Sequence, residues 1–200
     1  MQRPAETQYE IHEFLKQRYS PRAFTAQPVE DDKLLSLMEA ARWAPSGGNK
    51  QPWAFIVVPQ SDALNHPRLI GALSGANPTW AQNAPVLVVA VATLNPPPDT
   101  NRYAFYNLGL AVAQLTVQAT ALGLYVRQMG GFDHEKAHQA LDIPDDHEPA
   151  VVLAIGYLGN VDDLPDELRQ RELSARARKP LTEFVYGGRW GEPLQAELMR

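Results

Sequence analysis

The apolar positions of this chain recur at two spacings, and the switches between them predict the order of its elements. Ile11, Phe14 and Leu15 share one side of a helical repeat, which predicts a first helix over about Glu6–Gln17. Pro21 ends it by pushing Ser20 out of the helical region. A second helix is expected over about Asp31–Trp43, with Leu34, Leu35, Met38 and Ala41 or Arg42 along its repeat. Pro28 and the acidic residues Glu30, Asp31 and Asp32 mark its start. "WAFIVV" (53–58) reads as a strand and residues 63–73 as a short helix. "APVLVVAVA" (84–92) lacks polar alternation, the pattern of a strand buried on both faces. "NPPPDT" (95–100) is a Pro-rich break too short to link two domains.

The segment Tyr103–Leu122 predicts a long helix with two stripes. Leu108, Ala111, Val112, Leu115, Ala119 and Leu122 form the apolar one, and Gly109, Ala113, Thr116 and Thr120 a small-residue one turned away from it. Such a helix is buried on more than one side, inside the core or against a second subunit. "YVRQMGGFD" (125–133) then predicts a strand, a glycine pair and a short helix capped by Asp133. "PAVVLAIGYLG" (149–159) is a last apolar strand, and the charged tail from Asp162 is only weakly periodic. Helices and strands alternate irregularly, which predicts a single α+β domain.

Composition narrows the chemistry. At 200 residues the chain suits one domain, and its net charge of −5 offers nucleic acid no general attraction. It has no cysteine, so disulfides, thiolate nucleophiles and cysteine-bound metals are excluded. The N-terminus lacks the apolar stretch of a signal peptide. Gln114, Thr116, Gln118 and Thr120 argue against a membrane helix in the most apolar span. The expected setting is cytoplasmic.

Three constellations could carry function. Arg18, Ser20 and Arg22 place two cations and a hydroxyl at a broken helix end, suited to a phosphate. Arg176, Arg178 and Lys179 form a second basic cluster, which is either a solvated tail or the other half of that site. Gly130 and Gly131 offer backbone amides that no side chain shields, or simply a tight turn. No Rossmann or P-loop glycine pattern occurs. His134, Glu135 and His138 match the H-E-x-x-H pattern of zinc hydrolases, but the helix is short and no third ligand follows at the usual spacing, so no metal is expected. No Ser-His-acid arrangement is identifiable.

"RYSPRAF", "LLSLMEAARWAPSGGNKQPWAFIVV", "NLGLAVAQLTVQATALGL", "GGFD" and "RKPL" occur in an order that resembles the nitroreductase family, over about residues 11–188. The resemblance implies an α+β, three-layer homodimer, a mixed or antiparallel sheet flanked by helices, with flavin mononucleotide (FMN) at the subunit interface. It implies that NADH or NADPH reduces FMN, which then reduces nitroaromatics, quinones or similar small electron-poor acceptors by a ping-pong route. No protein residue need be catalytic, because the chemistry sits on the flavin. Arg18, Tyr19, Ser20 and Arg22 match the first cofactor segment, Arg18 and Ser20 at the phosphate and Arg22 toward the ribityl–pyrimidine side. Pro45, Ser46, Gly47 and Asn49 match the loop that reaches the partner's flavin, with Trp53 anchoring the strand behind it. Asn77 matches a pyrimidine-edge contact, Gly130 and Gly131 the donors to N5 and O4. Arg178, with Lys179 or Arg176, matches a late phosphate contact. Many relatives carry Arg where Tyr19 stands, an aliphatic residue at Pro21 and serines near Gly47 and Gly48. Other readings are a specialised flavoenzyme on the same fold (dehalogenation, enone reduction or flavin breakdown), a flavin carrier without turnover, or a zinc hydrolase.

Overall fold

The computed structural model describes residues 3–94 and 103–194 of the chain; the Pro-rich break at 95–100 lies outside them. Four strands, β1 (Trp53–Pro59), β2 (Val86–Thr93), β3 (Tyr125–Met129) and β4 (His147–Gly156), form a sheet of order β1-β2-β4-β3. Every neighbouring pair is antiparallel. Seven helices surround it among the described residues: α1 (Glu13–Gln17), α2 (Asp31–Arg42), α3 (Asn65–Ala72), α4 (Asn77–Ala81), α5 (Ala104–Ala121), α6 (His134–Ala140) and α7 (Asp166–Leu173).

The central strand β2 explains the layering. Val86, Val88, Ala90 and Ala92 pack with Leu37 and Ala41 of α2 and with the apolar stripe of α5. The alternate residues Leu87, Val89 and Val91 pack with α3, α4, α6 and α7 through Leu69, Trp80, Ala137 and Leu168. Each face of the sheet therefore has its own core, and β2, buried on both, needs no polar alternation. The result is helix, sheet, helix in three layers.

Three expectations change. The first helix starts at Glu13, not near Glu6, because the His12 side chain caps it by accepting from the Phe14 N–H. Residues before it run back alongside, with the Ala5 N–H donating to the Lys16 carbonyl at 2.7 Å, and Phe14 and Leu15 stay exposed. In α2 the buried residues are Leu37 and Ala41, whereas Leu35 is 69% exposed, so the core-facing stripe is rotated. In α5 the small stripe splits. Thr116 is buried and bonds back to the Val112 carbonyl at 2.7 Å, while Gly109 and Ala113 face solvent beside exposed Phe105 and Tyr106. α4 and α7 lay in stretches without a clear apolar repeat.

The N-terminal segment reaches the sheet through a close backbone approach. The Gly159 N–H donates to the Ala23 carbonyl at 2.9 Å, and the Thr25 N–H donates to the Tyr157 carbonyl at 3.0 Å. A Cβ on Gly159 would lie 2.7–2.9 Å from the Phe24 backbone, so only glycine allows this pairing. That contact holds residues 18–22 beside the outer strand β3.

Candidate functional site

Beside β3 lies a cavity of about 250 Å³ whose wall is dominated by arginines from four segments of the chain. Arg3, Arg18, Arg22, Arg127, Arg176 and Arg178 all contribute, together with Ser20 and Glu172. Arg18 donates to the Ser20 hydroxyl at 3.1 Å, and Arg176 donates to the Arg18 carbonyl at 3.0 Å and to the Arg3 carbonyl. The two basic clusters, more than 150 residues apart, thus meet at one place. Burial, and then the nearby Arg176 and Arg178 charges, hold the Arg18 guanidinium below its ordinary range. Burial and the Arg178 charge do the same to Arg176. A guanidinium keeps its proton at neutral pH, so this repulsion persists until an anion relieves it.

The buried end of the cavity is organised differently. Glu172, the last residue but one of α7, is only 4% exposed. It accepts from Arg22 Nη1 at 2.9 Å, from the Arg22 backbone N–H at 3.3 Å, and from the Tyr19 hydroxyl. Burial, and then the bond to Glu172, push the Tyr19 phenol up, keeping it protonated and donating. Arg127 of β3 donates to the Ser20 carbonyl at 2.6 Å and lies over the Trp80 ring at 5.3 Å. Burial, and then the Arg22 charge, lower its guanidinium.

The other predicted residues take three positions. Gly130 and Gly131 follow β3 directly and are exposed. About three residues, roughly 10 Å of extended chain, separate Gly130 from Arg127. The Gly131 carbonyl accepts from Asn77 Nδ2 at 3.0 Å and from the Ser74 N–H at 2.9 Å, so Asn77 is gathered at the glycine pair. A Cβ on Gly131 would sit 3.1 Å from that same Nδ2, which makes glycine the residue that leaves Asn77 undisturbed. Lys179 stays outside the arginine cavity. It lines an adjoining groove of about 990 Å³, 3.9 Å from Glu183, whereas Arg18, Arg176 and Arg178 border both spaces.

Pro45, Ser46, Gly47 and Asn49 form a turn before β1, at the opposite edge of the sheet. Gly48, Asn49 and Gln51 all have positive φ, and the Ser46 hydroxyl accepts from the Gln51 N–H at 3.0 Å to hold the turn. Trp53 pairs with Ala92 and Ala92 with Glu148, so the turn opens at the end of the sheet toward which β3 runs. Three strand spacings, about 14 Å, still separate the β1 edge from the β3 edge. Trp53 itself is half-buried against the α2–α5 core.

The H-E-x-x-H residues do not converge. His134 turns to Glu148 at 3.0 Å and stacks on Phe132, while His138 meets the Pro144 carbonyl at 3.2 Å. Among the described residues no three His, Asp or Glu side chains are grouped as a metal site. No helix among them is long and apolar enough to cross a membrane. Sequence reasoning missed Arg3, Arg127 and Glu172. Arg127 left a trace, the one charge in its strand; Glu172 left none, because "DELRQREL" is polar apart from Leu168 and Leu173.

Comparison with known proteins places this geometry. The pattern that defines the nitroreductase family matches residues 15–79 and 65–157. A crystallised oxidoreductase described as containing FMN is 31% identical, superposes with a TM-score of 0.87, and covers 94% of this chain and 96% of its own. A nitroreductase family protein from Clostridium novyi NT is 27% identical, with a TM-score of 0.67 over 92% of this chain and 97% of its own. "Putative NAD(P)H nitroreductase Spy0809" from Streptococcus pyogenes is 25% identical over 180 residues, 72% of this chain and 88% of that protein.

Proposed function

Because the chain belongs to the nitroreductase family, we propose that it is an FMN-dependent oxidoreductase that draws on NADH or NADPH to reduce small electron-poor acceptors such as nitroaromatics and quinones. The observation that carries the reading is the convergence of Arg18, Arg176 and Arg178 around Ser20 at the start of a path that ends at Gly130 and Gly131. The fit is chemical. Three mutually repelling cations, none paired with a carboxylate among the described residues, suit a phosphate dianion. The unshielded glycine pair, about 10 Å farther along β3, suits a flat ring that approaches backbone closely.

In this reading Arg18, Ser20, Arg176 and Arg178 bind the phosphate, and Gly130, Gly131 and Asn77 border the flavin ring. Tyr19 and Arg22 stand behind, held by Glu172. FMN held there would supply the redox chemistry, a two-electron exchange between NAD(P)H and the acceptor by a ping-pong route. The protein's own residues bind, orient and set the local charge.

A homodimer completes the site. The turn of Pro45, Ser46, Gly47 and Asn49 lies at the far sheet edge from Gly130, so it serves the flavin of a second subunit. The exposed Trp43, Phe105 and Tyr106, beside Gly109 and Ala113, form an apolar surface suited to that contact. Purified protein tests the whole reading: it should bind about one FMN per subunit, bind riboflavin more weakly, oxidise NAD(P)H with a quinone or nitroaromatic, and sediment as a dimer. Protein that takes up no FMN would refute it.

A further inference from the structure

Glu172 is an unexpected group in a cavity suited to an anion. It is almost fully buried, it is the only carboxylate among the described residues of the cavity wall, and three of its contacts come from Tyr19 and Arg22. It divides the arginines into two sets. Among the described residues Arg18, Arg176 and Arg178, at the open end, have hydroxyl and carbonyl partners only, so their charge is available to a ligand. At the buried end Arg3, Arg22 and Arg127 surround the one negative charge of Glu172, Arg3 donating to its backbone carbonyl, which leaves about two net positive charges there.

We propose that Glu172 is a charge-setting residue: by partly neutralising the buried end of the cavity it directs the ligand's phosphate to the Arg18–Arg176–Arg178 end and fixes how strongly the site favours the reduced, more negative cofactor. This inference rests on the proposed FMN site. The physical basis is differential binding. A fixed charge near a redox group changes its potential only by acting unequally on its two charge states, and in a site shielded from water that inequality is large. Glu172 opposes the extra negative charge that reduction brings, and it also immobilises the cation that would otherwise offset it.

The test is a spectroscopic redox titration of FMN-saturated protein. Glu172→Gln keeps the shape and one acceptor oxygen, removes the charge and turns the other oxygen into a donor. The ratio of oxidised to reduced FMN dissociation constants should rise about tenfold, which for a two-electron couple is a shift of about +30 mV. Glu172→Asp keeps the charge and should stay close to wild type. Inorganic phosphate should compete with FMN more effectively in Glu172→Gln than in wild type, because a second cationic end is uncovered. If Glu172→Gln is too unstable to hold FMN, the double variant Arg22→Gln, Glu172→Gln restores the original net charge of the buried end and should show the wild-type potential.

An unchanged potential in Glu172→Gln with FMN bound overturns the proposal, as do equal shifts in the Gln and Asp variants, which mark a packing role. A double variant shifted by about 30 mV or more overturns it as well. These outcomes are separate from failure of the functional reading, in which the wild-type protein itself shows no flavin absorbance.

Discussion

Arg18→Ala is the substitution that most directly separates a phosphate site from a merely basic surface. The Arg18 guanidinium is partly buried, donates to Ser20 at 3.1 Å, and is crowded by Arg176 and Arg178. Losing a hydrogen bond to a charged partner costs about 1.5–3 kcal/mol, so FMN affinity should fall about ten- to a hundredfold. The crowding sets a second expectation. Removing one of three mutually repelling cations relieves the apo protein, so Arg18→Ala should melt no lower than wild type without ligand and clearly lower with saturating FMN. Riboflavin, which lacks the phosphate, should bind both proteins alike. The assay is fluorescence titration with FMN and riboflavin at two salt concentrations. The FMN affinity of the variant should also depend less on salt, since one fewer ion contact is screened. Equal losses for FMN and riboflavin would refute the assignment and move Arg18 to the flavin ring or to a structural role.

Arg22→Ala should strand the buried Glu172, at a cost of about 3–5 kcal/mol; the melting temperature should drop by roughly 6–20 °C, and a melt within 2 °C of wild type would contradict the ion pair. In the FMN-loaded variant the midpoint potential should fall by about 30–65 mV, corresponding to roughly 1.5–3 kcal/mol of lost stabilisation of the reduced state. A bulky charge at Gly109 or Ala113 should weaken dimerisation and FMN retention together, and a stable monomer with full FMN affinity would sink the interface assignment. His66 is buried, its Nε2 has no partner among the described residues, and burial lowers its pKa against the opposing pull of Asp62. The unfolded chain therefore binds a proton that the folded chain refuses, so this residue should erode stability as pH falls through about 6.5; a His66→Gln variant should show a shallower loss in melts across that range, and an identical slope would rule the group out.

The sequence makes the layers of this fold readable where one spacing rule dominates. β2 and the apolar stripe of α5 are continuous apolar patterns, and both lie where those patterns place them. Helix boundaries are less legible, because a local competitor decides them: the His12 side chain stops α1 short, although the apolar repeat continues before it. The face of α2 is misread for a related reason. Leu34, Leu35 and Met38 fit one helical stripe as well as Leu34, Leu37 and Ala41 do, and only the position of α5 chooses between them. The site divides in the same way. Arg18 and Ser20 advertise themselves by proximity, but their meeting with Arg176 is tertiary. Glu172 is invisible because nothing distinguishes a buried carboxylate from a solvated one in a polar helix.

The arginine cavity joins residues 3, 18–22, 127 and 172–178, and no part of it is closed by a local turn. Its assembly therefore waits on loops of about 150 residues, whose closure costs roughly 4 kcal/mol of chain entropy before any contact offsets it. Contacts of such high sequence separation form late in folding. On the ribosome the consequence is one of timing: the sheet's central strands can pair while the chain is still growing, but the anion site cannot exist until residue 178 has emerged. Anion binding at this cavity therefore follows the synthesis of residue 178.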